Sequence, residues 1–267
     1  MNDNSPTQGL SLANELLAQG HSTFTFAEVE RCLGKSKTAT ANLLKRMEKA
    51  GLIDRVRRGH YALRQLGVLG TPAVAEDVAL SVGAAFKGLP HRIAWRSALY
   101  EHDLVVHPAR TIQVAAIRRV RTKTLSGQRL KVVIEPLDKL EIGRVPTRNS
   151  YLSDVHRAVL DAADRPRLVG GAEVLAEAVA TAAPHLKPHI LTDYARRLGY
   201  AAALRRLGSL ADTLKLHPLA GAFEPIKRIT ADLDLEPGSK EPVALRDKRW
   251  RVRWPRKVDE LLAVVGQ

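Results

Sequence analysis

A chain of 267 residues is long enough for two domains that each bury a core, and its 42 Lys and Arg against 28 Asp and Glu leave a formal charge of +14, favouring a polyanionic partner such as nucleic acid or an anionic membrane surface. Its one cysteine, Cys32, excludes an internal disulfide framework and a thiol-held structural zinc, and fits a reducing cytoplasm. The polar, acidic N-terminus MNDNSPTQGLSLANELLAQG lacks a signal-peptide pattern, no run of about 18 apolar residues occurs, and aromatics make up only 4 %, so a cytoplasmic protein with an aliphatic helical core and no membrane segment is expected.

In chain order, residues 10–19 read as a helix with Leu12, Leu16 and Leu17 on one face and Gly20 as its left-handed cap. A second helix is expected from Phe24-Thr25-Phe26-Ala27-Glu28-Val29, where Thr25 and Glu28 can form a capping box and Phe24 can staple onto Val29. It should stop at Gly34, and Ser36 then caps a third helix running to about residue 50 with Gly51 just beyond. Cys32 is placed on the apolar side of the second helix, in the core.

Two short helices joined by a tight Gly-containing turn make a helix-turn-helix pattern, whose second helix enters the major groove of duplex DNA. Leu43, Leu44, Met47 and Ala50 fall at core spacing in the third helix, leaving Lys37, Thr38, Ala41, Asn42 and Lys45 on the opposite side. Lys37, Thr38 and Asn42 are side chains able to read base edges, whereas Lys45 and Arg46 suit phosphate. Residues 52–57 and 60–64 read as strands around the turn Arg57-Arg58-Gly59-His60, a basic wing bearing Arg55, Arg57, Arg58 and His60. Residues 31–64 hold 10 Lys and Arg against Glu48 and Asp54, a local net of +8 that suits repeated phosphate contacts. A winged helix-turn-helix domain over residues 1–66 is expected.

The Gly- and Pro-containing stretch 66–72 is the expected boundary to a larger α+β domain over residues 73–267. Helices are expected over 73–87 and 95–102, and strands over 111–118 and 129–135 around the turn Leu125-Ser126-Gly127-Gln128. Residues 118–131 hold six basic residues and no acidic one, and alternation of Arg119, Arg121 and Lys123, next to Arg118, would line them along one strand face. That face is either a second nucleic-acid contact or a charged edge that blocks strand-to-strand aggregation. From Tyr151 onward the pattern turns helical, over 152–163, 171–183, 189–198 and 200–215, predicting a bundle packed on a small antiparallel sheet.

The winged module is followed by Ile93-Ala94-Trp95-Arg96-Ser97-Ala98-Leu99-Tyr100, then by the stretch from Tyr151 to Asp161 with Pro166 and Gly170-Gly171 after it, then by Leu204-Arg205-Arg206-Leu207-Gly208. In this order the segments resemble the AbiEi antitoxins of type IV toxin–antitoxin systems over most of residues 24–216. The resemblance implies a winged domain that binds operator DNA and represses its own operon, and a C-terminal domain that counters a nucleotidyltransferase toxin. By position it assigns the DNA role to the segments Ser36 to Arg46 and Arg55 to His60. Residues 217–267 extend beyond it, and their Arg246 to Lys257 stretch carries seven basic residues with Trp250 and Trp254, suited to nucleic acid, a toxin or the protein's own surface.

Two other readings compete. One is a regulator unrelated to toxins whose second domain senses a ligand or partner. The other is a nucleotidyltransferase, with Asp232 and Asp234 on one strand face for magnesium and Gly208-Ser209 as a phosphate loop. Against it, Gly208-Ser209 lies inside a helical run and Glu236-Pro237-Gly238 turns the chain just after the carboxylates. His185 and His189 have metal-pair spacing, but Pro188 separates them and they are expected in a loop. No Walker loop or serine elbow occurs, and neither catalysis, a metal nor a cofactor is required by any motif.

Overall fold

The computed structural model describes residues 7–18, 21, 23–57, 59–63, 78–125, 128–147, 149–225 and 228–265. The expected boundary at 66–72, the start of the helix expected at 73, Ser126-Gly127 and Arg58 lie outside the described residues. Among the described residues no helix is long and apolar enough to cross a membrane.

The N-terminal unit runs α1 (Thr7–Ala18), β1 (Thr23–Thr25), α2 (Phe26–Leu33), α3 (Lys37–Lys49), β2 (Ile53–Arg57) and β3 (His60–Leu63). The antiparallel hairpin β2–β3 takes β1 as a third strand, in the order β1-β3-β2. Leu12, Leu16, Phe24, Val29, Leu44, Met47 and Ile53 form its core, and Phe24 stacks on Tyr61 at 5.7 Å. Cys32 is exposed, with its Sγ 3.9 Å from Glu15 Oε1, which corrects the expectation of a core cysteine. The inward stripe of α2 is Phe26, Val29 and Leu33, and at 100° per residue Cys32 falls off its edge.

The remainder continues through α4 (Val78–Ala85), β4 (His91–Ile93), α5 (Trp95–Glu101), β5 (Thr111–Ala116), β6 (Thr124–Leu125), β7 (Gln128–Ile134), α6 (Leu137–Leu140), β8 (Arg144–Thr147) and β9 (Ser150–Ser153). The sheet is larger than expected and not antiparallel throughout. Six strands lie in the order β6-β7-β5-β4-β9-β8, with β5 parallel to β7 and β4 parallel to β9. The antiparallel partner of β7 is the short β6, while β5 pairs with β7 in parallel. Parallel central strands are covered on both faces, and β5 is accordingly apolar and buried over Ile112 to Ala116 except for one glutamine, which is buried as well.

On one face α4 packs over Ile93, Ile112, Val114 and Leu125. On the other lies a helical layer of α5, α7 (Val155–Asp164), α8 (Pro166–Val169), α9 (Ala172–Ala182), α10 (Pro188–Leu198) and α11 (Ala201–Thr213). Residues 150–153 form strand β9, so the helical region begins at Val155 and not at Tyr151. A second sheet of β10 (Leu233–Asp234), β11 (Leu245–Asp247) and β12 (Val252–Trp254), then α12 (Val258–Val265), closes over α9 and α11. Trp250 and Trp254 are fully buried in this contact, with Trp254 Nε1 donating to Ser209 Oγ at 2.9 Å and Trp250 Nε1 to Asp212 Oδ2 at 2.7 Å.

Candidate nucleic-acid interface

Local signals in the sequence fix the turn between α2 and α3. Thr25 Oγ1 accepts the Glu28 amide at 3.2 Å while Glu28 Oε2 accepts the Thr25 amide at 2.6 Å, closing the capping box. These bonds hold the Glu28 carboxyl below its ordinary pKa. Gly34 ends α2 in the left-handed region, and Ser36 Oγ accepts the Ala39 amide at 3.3 Å to start α3. Thr40, Leu43, Leu44 and Met47 are buried, which turns Lys37, Thr38, Asn42, Lys45 and Arg46 outward, all exposed. Lys35, Asn42, Lys45, Arg46 and Lys49 rim a shallow concavity between α1 and α3. Among the described residues no carboxylate pairs with Lys35, Lys37, Lys45 or Lys49.

The hairpin lies at the start of α2, where the Phe26 amide donates to Gly59 O at 2.8 Å. Arg55 is exposed and His60 half-buried on it. Arg57 stands at the end of β2, its side chain outside the description, and Arg58 is outside it altogether. Arg118, Arg119, Arg121 and Lys123 are exposed, but they occupy an irregular segment between β5 and β6 and not the strand face expected from their alternation.

The carboxylates of the nucleotidyltransferase reading are engaged by arginines. Asp232 pairs with Arg251 at 2.9 Å and Arg246 at 3.3 Å, and Asp234 with Arg253 at 2.7 Å. Gly208 and Ser209 lie within α11, where a Cβ at Gly208 would run into the Trp250 indole, so they form no phosphate loop. Pro188 opens α10 and does not break it, which puts His189 in that helix and His185 in the short turn before it. Among the described residues no group of three His, Cys, Asp or Glu is arranged to hold a metal ion. The Arg246 to Lys257 stretch lies largely on the protein's own surface, with Arg249 on Asp212 at 3.0 Å and Arg256 on Glu241 at 2.9 Å.

Sequence reading missed a buried charge cluster beneath the segments that carry the resemblance. Arg92 donates to Asp161 at 2.6 Å and to Glu135 at 2.9 Å, and Arg157 donates to the same two carboxylates at 2.8 and 3.1 Å. All four side chains are essentially inaccessible and paired with one another, with Arg92 Nε left as a buried nitrogen without a partner, so the cluster joins β4, the end of β7 and α7. Burial opposes the charge on Arg92, and Asp161 and Glu135 more than restore it, raising its pKa. Gly170 and Gly171 have φ of +117° and +104°, and a side chain there would meet Arg96 and Glu236. Arg96 donates to Val169 O at 2.8 Å, while Glu236 accepts the Ala172 amide at 2.8 Å. These segments therefore hold helices to sheet.

Residues 11–64 match the family described as "Transcriptional regulator, AbiEi antitoxin". No curated protein sequence matches the chain. Its fold is similar to the crystal structure of the RV2827C protein from Mycobacterium tuberculosis, with a TM-score of 0.70, 14 % identity, and coverage of 98 % of this chain and 96 % of that one.

Proposed function

We propose that α2, α3 and the β2–β3 hairpin form a winged helix-turn-helix that seats α3 in the major groove of operator DNA. The chain then acts as repressor and antitoxin, controlling its own operon while the rest of the molecule counteracts a nucleotidyltransferase toxin. The observation that carries this reading is the outward face of α3: amide, hydroxyl and ammonium groups without acidic partners, in the segment that matches the antitoxin regulators. Lys37, Thr38 and Asn42 read base edges; Lys45, Arg46, Arg55 and the hairpin tip hold phosphates. Ser36 supports them by capping α3. Duplex DNA needs neither a cofactor nor a catalytic group from this surface.

The triple variant Lys37→Ala/Asn42→Ala/Lys45→Ala tests the assignment in a gel shift with DNA from upstream of the chain's own coding sequence. Binding is expected to weaken by at least about 100-fold, since each good base contact contributes about 1–3 kcal/mol of discrimination. Undiminished binding by the folded variant would remove α3 from the interface.

A further inference from the structure

The chain carries two dense basic runs outside the N-terminal unit, and their states are opposite. In the run from Arg246 to Lys257, Arg246, Arg249, Arg251, Arg253 and Arg256 each hold a carboxylate. In residues 118–131, Arg118, Arg119, Arg121, Lys123, Arg129 and Lys131 are all exposed, and none has a side-chain partner among the described residues. That stretch contains no acidic residue at all. Uncompensated like charges at such density repel each other, a cost that a polyanion would remove.

The segment is nonetheless held in place. The Ile117 amide donates to Pro90 O at 3.4 Å, the Leu130 amide to Lys123 O at 2.8 Å, Leu125 is buried, and Val120 packs on the same apolar cluster. Cations and apolar anchors thus alternate, so the charges stand on a fixed base. That base adjoins the hairpin: β6 packs beside β2, and Leu125 shares its cluster with Ala62 of β3. The exposed Arg55 of β2 and the cationic loop therefore belong to neighbouring surfaces of one molecule.

We infer that the loop of residues 117–123 is a second contact to duplex DNA, gripping phosphates beyond those held by the hairpin and carrying no base preference of its own. The inference rests on the proposed DNA-binding role of the N-terminal unit and extends its footprint. Phosphate recognition needs only accessible cations in register with the backbone, which this loop supplies.

The test uses the full chain and the variant Arg118→Ala/Arg119→Ala/Arg121→Ala/Lys123→Ala, titrated on the upstream duplex across a salt series. The slope of log affinity against log salt is expected to flatten by about 0.9 for each phosphate that the variant no longer neutralises, with affinity falling about 10- to 100-fold at low salt. The protected segment should shorten on one side, while the ranking of mutated operators stays the same. The matched variant Arg118→Lys/Arg119→Lys/Arg121→Lys keeps the charge and should keep the slope, which separates charge from folding. An unchanged slope and footprint in the alanine variant would overturn the inference, whether or not the variant aggregates as loss of a protective charged edge predicts. So would an alanine variant that no longer retains structured RNA but binds DNA as before. Failure of the underlying regulator reading looks different, since the wild-type chain would then bind its upstream duplex no better than unrelated DNA.

Discussion

His91 is 4 % exposed, with Nδ1 2.7 Å from Leu89 O and Nε2 2.9 Å from the Ser150 hydroxyl. A neutral ring satisfies both neighbours, donating from Nδ1 and accepting at Nε2. Burial pushes its pKa below 6.5; the bond to Leu89 opposes that shift and nearby Arg144 adds to it. The unfolded chain takes up a proton here as pH falls through about 6.5, while the folded chain resists until its own lower value. Stability is therefore full above that pH and lost as pH falls toward the folded pKa, with a slope of at most about 1.4 kcal/mol per pH unit from this group. His91→Gln should flatten that decline in urea unfolding measured between about pH 7.5 and 5.5, whatever it costs at neutral pH. Identical slopes for variant and wild type would contradict it. The sequence offered no sign of this role, because burial depends on strands distant in the chain. It was similarly blind to Arg92 and Glu135, which meet Arg157 and Asp161 only once β4, β7 and α7 are assembled.

At the scale of elements, what could be read from sequence was what local chemistry decides. The capping box at Thr25, the stop at Gly34 and the Ser36 cap involve partners within four residues, whereas of the expected α3 core face Leu43, Leu44 and Met47 are buried but Ala50 is exposed and Thr40 takes a buried place. The direction of β5 was not legible, since the antiparallel partner of β7 is the short strand β6 inserted between them, and β5 itself runs parallel to β7. The three-stranded sheet near the C-terminus was equally hidden, for its strands are two or three residues long and depend on tryptophans seated against α11. Gly208 is the site where that seating is tightest, because the fully buried Trp250 ring lies where a Cβ would stand. Gly208→Ala gains helix propensity but must displace the indole, which carries a bond to Asp212. A net loss of about 2–3 kcal/mol is expected, seen as a melting temperature lower by about 5–10 °C. An unchanged melting temperature would show that the sheet does not depend on this packing.

For the whole molecule, the charge of +14 says less than its distribution. Among the described residues the α3 ammonium groups and the side chains of Arg118, Arg119, Arg121 and Lys123 are exposed without acidic partners, whereas Arg246, Arg251 and Arg253 around β11 and β12 are matched by Asp232 and Asp234. Composition alone could not separate these states, since pairing depends on carboxylates some 10 to 40 residues away in sequence. The N-terminal unit also does not stand apart from the larger sheet: α4 packs beside β1 and β2, and Ala62 joins the cluster under β5. Footprinting of the full chain on the DNA upstream of its own coding sequence tests the proposed seating of α3 in operator DNA. A discrete protected segment is expected that survives excess unrelated DNA and disappears with Lys37→Ala/Asn42→Ala/Lys45→Ala. Uniform protection along the duplex, or none, would contradict it.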